Sequence, residues 1–207
     1  MDNKTKDAYY FKDFARRLKF PKKTYNLNIL RFIDGFISRL PAGSRVLDAS
    51  CGDGYLSSLY LDRHRVYGLD CEEEAISYCA RAYQGGNYFL ADVYNIPARD
   101  NSFDGIILSM AIEHYLEPAK ALAELKRVMK KDGIVVLTTP NEDNLLWKLI
   151  KHIWFRFFEG ACKPYRTDIH PSPFKKKQLY DLVSSYLPVK DFRLLTLGTT
   201  LALAAKK

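Results

Sequence analysis

The sequence predicts an α/β fold: a doubly wound, mostly parallel sheet of seven strands that ends in an antiparallel hairpin. Two observations lead to this prediction. Short apolar runs alternate with helical stretches from residue 45 to residue 188, which is typical of a parallel sheet covered by helices on both faces. The last two apolar runs are separated only by a few residues around Gly198, so we expect an antiparallel hairpin there.

The bounds of each element follow from hydrophobic periodicity. The first helix is expected to stop at the turn Pro41-Ala42-Gly43. The strands are predicted at residues 45–48, 65–70, 87–91, 103–109, 133–138, 189–197 and 200–206. The helices are predicted at residues 24–40, 55–62, 73–83, 118–129 and 175–186.

Length and composition indicate one domain. The chain has 207 residues, of which 47% are hydrophobic and 27% are charged, as in an ordinary globular protein. We expect residues 1–44 to form an N-terminal helical segment, and residues 141–173 to form an insertion or lid after the fifth strand. The sequence has no 18-residue apolar run and no secretory-type start, so a cytoplasmic location is expected. Its 4 cysteines lack metal-type spacing, so no metal site is predicted.

The net charge of +8 is unevenly distributed. The segment 46–140 is acidic, whereas both flanks are basic. Basic flanks suit anionic membrane or nucleic-acid surfaces, but a solvated basic face is the commoner explanation.

The segment Val46–Gly54 reads as a buried strand, a glycine turn and the start of a helix. Gly52 and Gly54 allow the backbone to come close to a nucleotide. Asp48, at the tip of the strand, would repel a pyrophosphate but would attract a ligand that carries an ammonium and a sulfonium. The turn therefore favours S-adenosylmethionine over NAD or FAD.

Two further acids end the next two predicted strands. Asp70 is placed to accept hydrogen bonds from ribose hydroxyls, and Asp92 to accept one from an adenine amine, with Val93 or Tyr94 packed on the ring. Each acid alone could be a cap or turn residue. Three acids at three consecutive strand ends are harder to explain in that way.

These motifs resemble those of the class I S-adenosylmethionine-dependent methyltransferases, a Rossmann-like family, over roughly residues 24–207. The resemblance is closest to small-molecule enzymes such as the ubiquinone-biosynthesis O-methyltransferases. The family usually has glycine where Ser50 stands. A side chain there can narrow the approach to the methionine carboxylate, or the serine hydroxyl can form a hydrogen bond with that carboxylate. The motifs are Val46–Gly54, Gly68-Leu69-Asp70, Ala91-Asp92-Val93, Phe103–Ser109 with Glu113-His114, and Leu125–Gly133. The cofactor-binding residues that the resemblance implies are Asp48, Ser50, Gly52, Gly54, Asp70, Cys71, Asp92, Val93 and Ser109.

A methyl acceptor that is a hydroxyl needs a base, and His114 is the natural candidate because its ordinary pKa is near neutrality. Glu113 could orient it or help to hold a metal, or the pair could simply cap the next helix. His170 and Asn141 are the candidate acceptor-binding residues, although a lone histidine in a loop is more often structural.

The pattern of residues 145–158 (Leu145 to Phe158) predicts an amphipathic helix. Its polar face is basic, and its apolar face carries Trp and Phe. This pattern is typical of a helix that lies at a membrane surface. The alternatives are a lid over the site or an oligomer contact.

The sequence thus predicts methyl transfer from S-adenosylmethionine to a small, lipid-like or amphipathic acceptor, at oxygen. The alternatives are an RNA or protein methyltransferase, or a cofactor-binding module without catalysis. Nucleic acid is not the expected partner, because no RNA-binding module is recognised, and the oligomeric state is left open.

Overall fold

The computed structural model describes residues 22–149 and 171–207, with side chains from residue 26 onward. The sheet has seven strands in the order β3-β2-β1-β4-β5-β7-β6. Strands β1 to β5 are parallel, while β7 runs antiparallel to both β5 and β6. This is the doubly wound sheet with a C-terminal antiparallel hairpin that the sequence predicts. The strands are β1 Arg45–Ala49, β2 Arg65–Asp70, β3 Asn87–Leu90, β4 Phe103–Ser109, β5 Met129–Pro140, β6 Val189–Leu195 and β7 Thr200–Lys206.

Helices connect the strands and cover the sheet. A short 3₁₀ turn, Ile112–His114, follows β4, and residues 145–149 are helical. The α-helices are α1 Lys22–Ile37, α2 Tyr55–Ser58, α3 Glu73–Ala82, α4 Pro118–Val128 and α5 Lys176–Ser184.

The two faces of the sheet bury separate apolar clusters, because successive strand residues point to opposite sides. In β4, Ile106 and Leu108 pack against α4 and α5. Ile107 points the other way, into the cluster that α1 covers through Ile33 and Ile37. All five of these side chains are fully buried. The sheet is therefore a rigid central layer, and the carboxyl ends of β1, β2 and β4 meet at one edge.

Two elements differ from their predicted lengths. Helix α2 ends at Ser58 and not at residue 62, because Leu59, Tyr60 and Leu61 each donate to the carbonyl three residues earlier and form tight turns. Strand β5 begins at Met129 and not at residue 133, because Met129 already pairs with Phe103. The other elements agree with their predictions to within three residues at each end.

Gly54 is required by both its backbone and its surroundings. Its φ of 69° lies in the left-handed region, and an added Cβ would lie 2.7 Å from Cys79 Sγ. Gly52 also has a positive φ, 54°, but an added Cβ would meet no atom within 4 Å. The two glycines of the turn thus differ in how much space surrounds them.

We predict that Gly54→Ala lowers the free energy of unfolding by about 2–4 kcal/mol, because backbone strain and overpacking add. Gly52→Ala is the matched control and should cost only about 1 kcal/mol, since it adds strain alone. Urea denaturation measures both. Equal losses in the two variants would contradict the crowding at Gly54.

Candidate functional site

The candidate site lies where β1, β2 and β4 end side by side. Asp48 in β1 is in register with Gly68 in β2 and with Ile107 in β4. The chain turns after β1, and this turn is tied to β2 by two hydrogen bonds. Cys51 N donates to Leu69 O at 2.8 Å, and Gly52 N donates to Asp70 Oδ2 at 2.8 Å. The strand ends therefore hold the glycine turn in a fixed position.

A cavity of about 340 Å³ opens at this edge. Two of its lining residues, Ser50 and Met110, have positive φ angles of 62° and 51°. Non-glycine residues in this conformation are strained, and such strain concentrates at functional sites. The cavity is lined by Asn26, Ile29, Leu30, Asp48, Ser50, Cys51, Gly52, Asp53, Tyr55, Leu56, Ser109 and Met110.

Asp48 is the most unusual group in this cavity. Its carboxyl is 2% exposed, and its Oδ2 atom has no hydrogen-bond partner in the part of the chain that the structure describes. The pKa of Asp48 is raised from 3.8 to about 7, mainly by burial; a hydrogen bond from Ser57 opposes part of this rise, and the nearby carboxylates of Asp70 and Asp53 add to it. A cationic ligand beside Oδ2 would relieve both the desolvation and the repulsion.

The other predicted cofactor residues are divided between the cavity and the edge beside it. Ser109 lines the cavity, and its Oγ lies 2.9 Å from Thr138 Oγ1. Asp70 lies at the adjacent strand end, where its two oxygens accept from the backbone N–H groups of Gly52 and Glu72. Its oxygens each keep a further lone pair for a ligand. Cys71, which follows it, is exposed.

The third acid follows β3. Asp92 is exposed and accepts a hydrogen bond from Tyr94 N at 2.9 Å, which is a turn-forming contact. Val93 is buried in the core. Both residues lie outside the cavity, at the end of the strand next to β2. Their place is consistent with a ligand that extends from the cavity along the strand ends.

Glu113 and His114 lie in the 3₁₀ turn after β4 and point to different surroundings. Glu113 is 2% exposed, and its Oε2 accepts a hydrogen bond from Thr139 Oγ1 at 2.8 Å. Burial raises the pKa of Glu113 from 4.5 to about 7. His114 is exposed and is not among the residues that line the cavity. The Glu113 carboxyl thus bonds to the end of β5.

Asn141, predicted to bind the acceptor, is 4% exposed, and its side chain forms hydrogen bonds within the protein. Its Nδ2 donates to Gly198 O at 2.8 Å, and its Oδ1 accepts from Asp143 N at 3.0 Å. These bonds fix the β6–β7 connection against the end of β5. His170, the other predicted acceptor residue, and the part of the 145–158 segment beyond residue 149 lie outside the described residues.

The sequence did not single out the residues of α1 that line the cavity. Asn26, Ile29 and Leu30 form part of its wall. Helical periodicity predicts that the apolar residues of this helix are buried, but no local signal places one end of the helix over the strand ends. Met110 was missed for a similar reason, because its positive φ cannot be read from its residue type.

A second, larger cavity of about 970 Å³ lies at the opposite end of the sheet. Its lining includes Arg45 and Phe103, the first residues of β1 and β4. Ligands of doubly wound sheets bind at the carboxyl ends of the strands, so the smaller cavity is the candidate cofactor site.

Among residues 22–149 and 171–207, the structure contains no cluster of three or more His, Cys, Asp or Glu side chains that could hold a metal ion. No described helix is both long enough and apolar enough to cross a membrane.

Comparison with known proteins shows which proteins the chain resembles. Residues 47–137 match the family model described as a methyltransferase domain. This part of the chain is thus similar to a methyltransferase domain, and the fold is the Rossmann-like fold of solved S-adenosylmethionine-dependent methyltransferases.

Three relatives illustrate the similarity. A Mycolicibacterium smegmatis protein described as a probable S-adenosylmethionine-dependent methyltransferase is 33% identical over 101 residues, 48% of this chain and 39% of the relative. The malonyl-[acyl-carrier protein] O-methyltransferase of Yersinia pestis is 33% identical over 137 residues, 60% of this chain and 51% of the relative. A solved S-adenosylmethionine-dependent methyltransferase from Aquifex aeolicus shares the fold, with a TM-score of 0.65, 19% identity and coverage of 100% of this chain and 98% of that one. The chain spans about half the length of the curated relatives it matches.

Asp48 makes the stability of the protein depend on pH. Between pH 3.8 and about 7, the folded state holds a proton on Asp48 that the unfolded state has lost, so stability falls as the pH rises through this window. We predict that Asp48→Asn is more stable than the wild type at pH 8 by about 1–3 kcal/mol, and that the difference disappears towards pH 4. Thermal unfolding between pH 4 and pH 8, without cofactor, measures this. A constant difference at all pH values would contradict it.

Proposed function

We propose that the protein transfers a methyl group from S-adenosylmethionine to a small, lipid-like or amphipathic acceptor, at oxygen. The observation that carries the proposal is the unpartnered Oδ2 of the buried Asp48 in the cavity at the strand ends. A buried carboxylate without a partner is costly, and an ammonium or sulfonium beside it would offset that cost.

The residues at this edge fit the cofactor. Gly52 leaves open space where a side chain would otherwise stand, so a ligand can approach the backbone closely. Asp48, Ser50 and Ser109 would surround the methionyl part. Asp70 and Cys71 would contact the ribose, and Asp92 and Val93 the adenine, with Gly54 shaping the turn. When bound, the cofactor supplies an electrophilic methyl group on a cationic sulfur that is a good leaving group.

The protein's own part in the reaction is to position the acceptor, exclude water and accept a proton. His114 is the proposed base, because it lies on the turn that follows β4 at the same edge of the sheet. Glu113 is proposed to hold this turn through its hydrogen bond to Thr139. His170 and Asn141 remain proposed acceptor-side residues, Asn141 through the β6–β7 connection that it supports.

Two observations support an amphipathic acceptor. One relative is named for a malonyl group carried on acyl-carrier protein and for methylation at oxygen. In addition, Leu145 is 80% exposed and Leu149 is 54% exposed at the start of the 145–158 segment. The Trp147 side chain is hydrogen-bonded within the protein, since its Nε1 donates to Glu142 Oε1 at 3.0 Å. We therefore also propose that this segment makes peripheral contact with membranes. The narrower resemblance to ubiquinone-biosynthesis enzymes stays a prediction.

Calorimetry with S-adenosylmethionine tests the cofactor. We expect the wild type to bind and Asp48→Asn to bind roughly 10- to 100-fold more weakly at pH 8, which is the usual effect of losing a charged partner. Asp62→Asn, an exposed acid after α2, is the control and should bind like the wild type. No binding by the wild type would exclude the proposed function.

Acceptor class is tested with labelled S-adenosylmethionine. The acceptors offered are malonyl-[acyl-carrier protein], free short-chain acids and amphipathic phenols. We expect at least one of them to take up the labelled methyl group at oxygen. Preferential labelling of RNA or of a protein lysine would favour the alternative class of methyltransferase. A cofactor-bound protein that labels none of these acceptors would support a module without catalysis.

Membrane contact is tested by co-sedimentation with vesicles that contain anionic lipid. We predict that Leu149→Ser lowers the bound fraction several-fold, because an exposed leucine on the interfacial face is replaced by a polar side chain. Leu90→Ser is a matched control, since Leu90 is also 54% exposed but lies in β3 at the edge of the sheet. Equal effects of the two substitutions, or no vesicle binding by the wild type, would remove this part of the proposal.

A further inference from the structure

The side chain of Ser50 occupies a position where the backbone favours glycine. Its φ is 62°, so a side chain here is strained by roughly 1–2 kcal/mol relative to glycine. The hydroxyl lines the cofactor cavity, and its Oγ lies 2.7 Å from Tyr115 Oη. Ser50 therefore brings a polar group to the cavity wall and connects it to the turn after β4.

The two hydroxyls carry two protons but share one hydrogen bond, and burial decides which of them donates. Tyr115 is 8% exposed, and within the described residues its Oη makes this one hydrogen bond. If Ser50 donated, the Tyr115 proton would be buried without an acceptor, at a cost of about 1–3 kcal/mol. If Tyr115 donates, its buried proton has an acceptor in Ser50 Oγ. The Ser50 proton is then free to point into the cavity.

Tyr115 is held in place from its backbone side. Its carbonyl accepts a hydrogen bond from Ser172 Oγ at 2.7 Å, and its N–H donates to Ile112 O at 3.2 Å. Its ring meets that of Tyr94 edge to face, with centroids 6.0 Å apart. The phenol ring is thus held in place, and burial keeps the pKa of Tyr115 above its ordinary value, so the proton stays on the oxygen at neutral pH.

The cavity needs such a donor if its ligand carries a carboxylate. Asp48 and Asp53 line it and Asp70 lies beside it, so an anionic group would meet like charges. A hydroxyl proton directed into the cavity would offset part of this repulsion, and hydrogen bonds to charged groups are the stronger ones.

We propose that Ser50 donates a hydrogen bond to the carboxylate of the methionyl part of S-adenosylmethionine, and that Tyr115 is the positioning residue that directs the Ser50 proton. This inference rests on the proposed function, and it assigns to Ser50 and Tyr115 the recognition of one group of the cofactor. The two residues thereby select ligands that carry a carboxylate over ligands that lack it.

The test compares S-adenosylmethionine with decarboxylated S-adenosylmethionine, which keeps the ammonium and the sulfonium. Calorimetry should show that Ser50→Ala binds S-adenosylmethionine roughly tenfold more weakly, and the decarboxylated ligand within about twofold of the wild type. Tyr115→Phe should show the same selectivity with a smaller, several-fold loss. The double variant should bind no more weakly than Ser50→Ala, because both changes act through one hydroxyl.

Ser44→Ala is the control, since the Ser44 hydroxyl is buried and bonds to Pro41 O at the other end of β1. It should bind both ligands like the wild type. Equal losses for the two ligands in Ser50→Ala would overturn the inference and leave Ser50 with a role in shaping the turn. Unchanged affinity would also overturn it. In both cases wild-type binding of S-adenosylmethionine would still stand, whereas failure of the wild type to bind would reject the proposed function itself.

Discussion

The parallel pairing of β1 with β2 on one side and β4 on the other is the constraint on which the candidate site depends. It brings the ends of three strands to one edge, where Asp48, Asp70 and Ser109 lie. The turn after β1 is then fixed by the hydrogen bond from Gly52 N to Asp70 Oδ2. A change of register in β1 would move Asp48 to the other face of the sheet and separate it from this turn.

Asp48 and Glu113 are the two most deeply buried acids among the described residues, and they give the site its electrostatic character. Asp48 lies in the cavity, and Glu113 lies where the turn after β4 meets the end of β5. Burial raises the pKa of each to about 7, so both change charge near neutral pH. Asp48 has an oxygen without a partner, whereas the Glu113 carboxyl is bonded to Thr139. The first is thus suited to a cationic ligand, and the second to holding two loops together.

Much of the fold could be predicted from sequence because it depends on local patterns. Strands β2, β4 and β7 have their predicted bounds, since each is a continuous run in which every second residue faces the same apolar cluster. The start of β5 could not be predicted, because the pairing of Met129 with Phe103 joins residues distant in sequence. The end of α2 could not be predicted, because hydrophobic periodicity does not distinguish an α-helix from the three-residue turns that follow it. The positions of Asp48, Ser50, Gly52 and Ser109 around one cavity follow from the order of strands. The inward hydrogen bonds of Asn141 and the α1 wall of the cavity depend on tertiary packing, which residue types do not encode locally.

The strand order also has a consequence for how the chain reaches its folded state. Strand β7 lies between β5 and β6, although it follows both of them in the chain. During synthesis, β6 emerges before the strand with which it pairs, so it remains unpaired until β7 is made. Strands β2 to β5 each pair with a strand that is already present, so strands β1 to β5 can assemble the cofactor edge earlier. An interruption of translation before residue 200 would therefore leave β5 with one open edge and β6 without a place in the sheet, which is the kind of exposed strand that chaperones protect from aggregation.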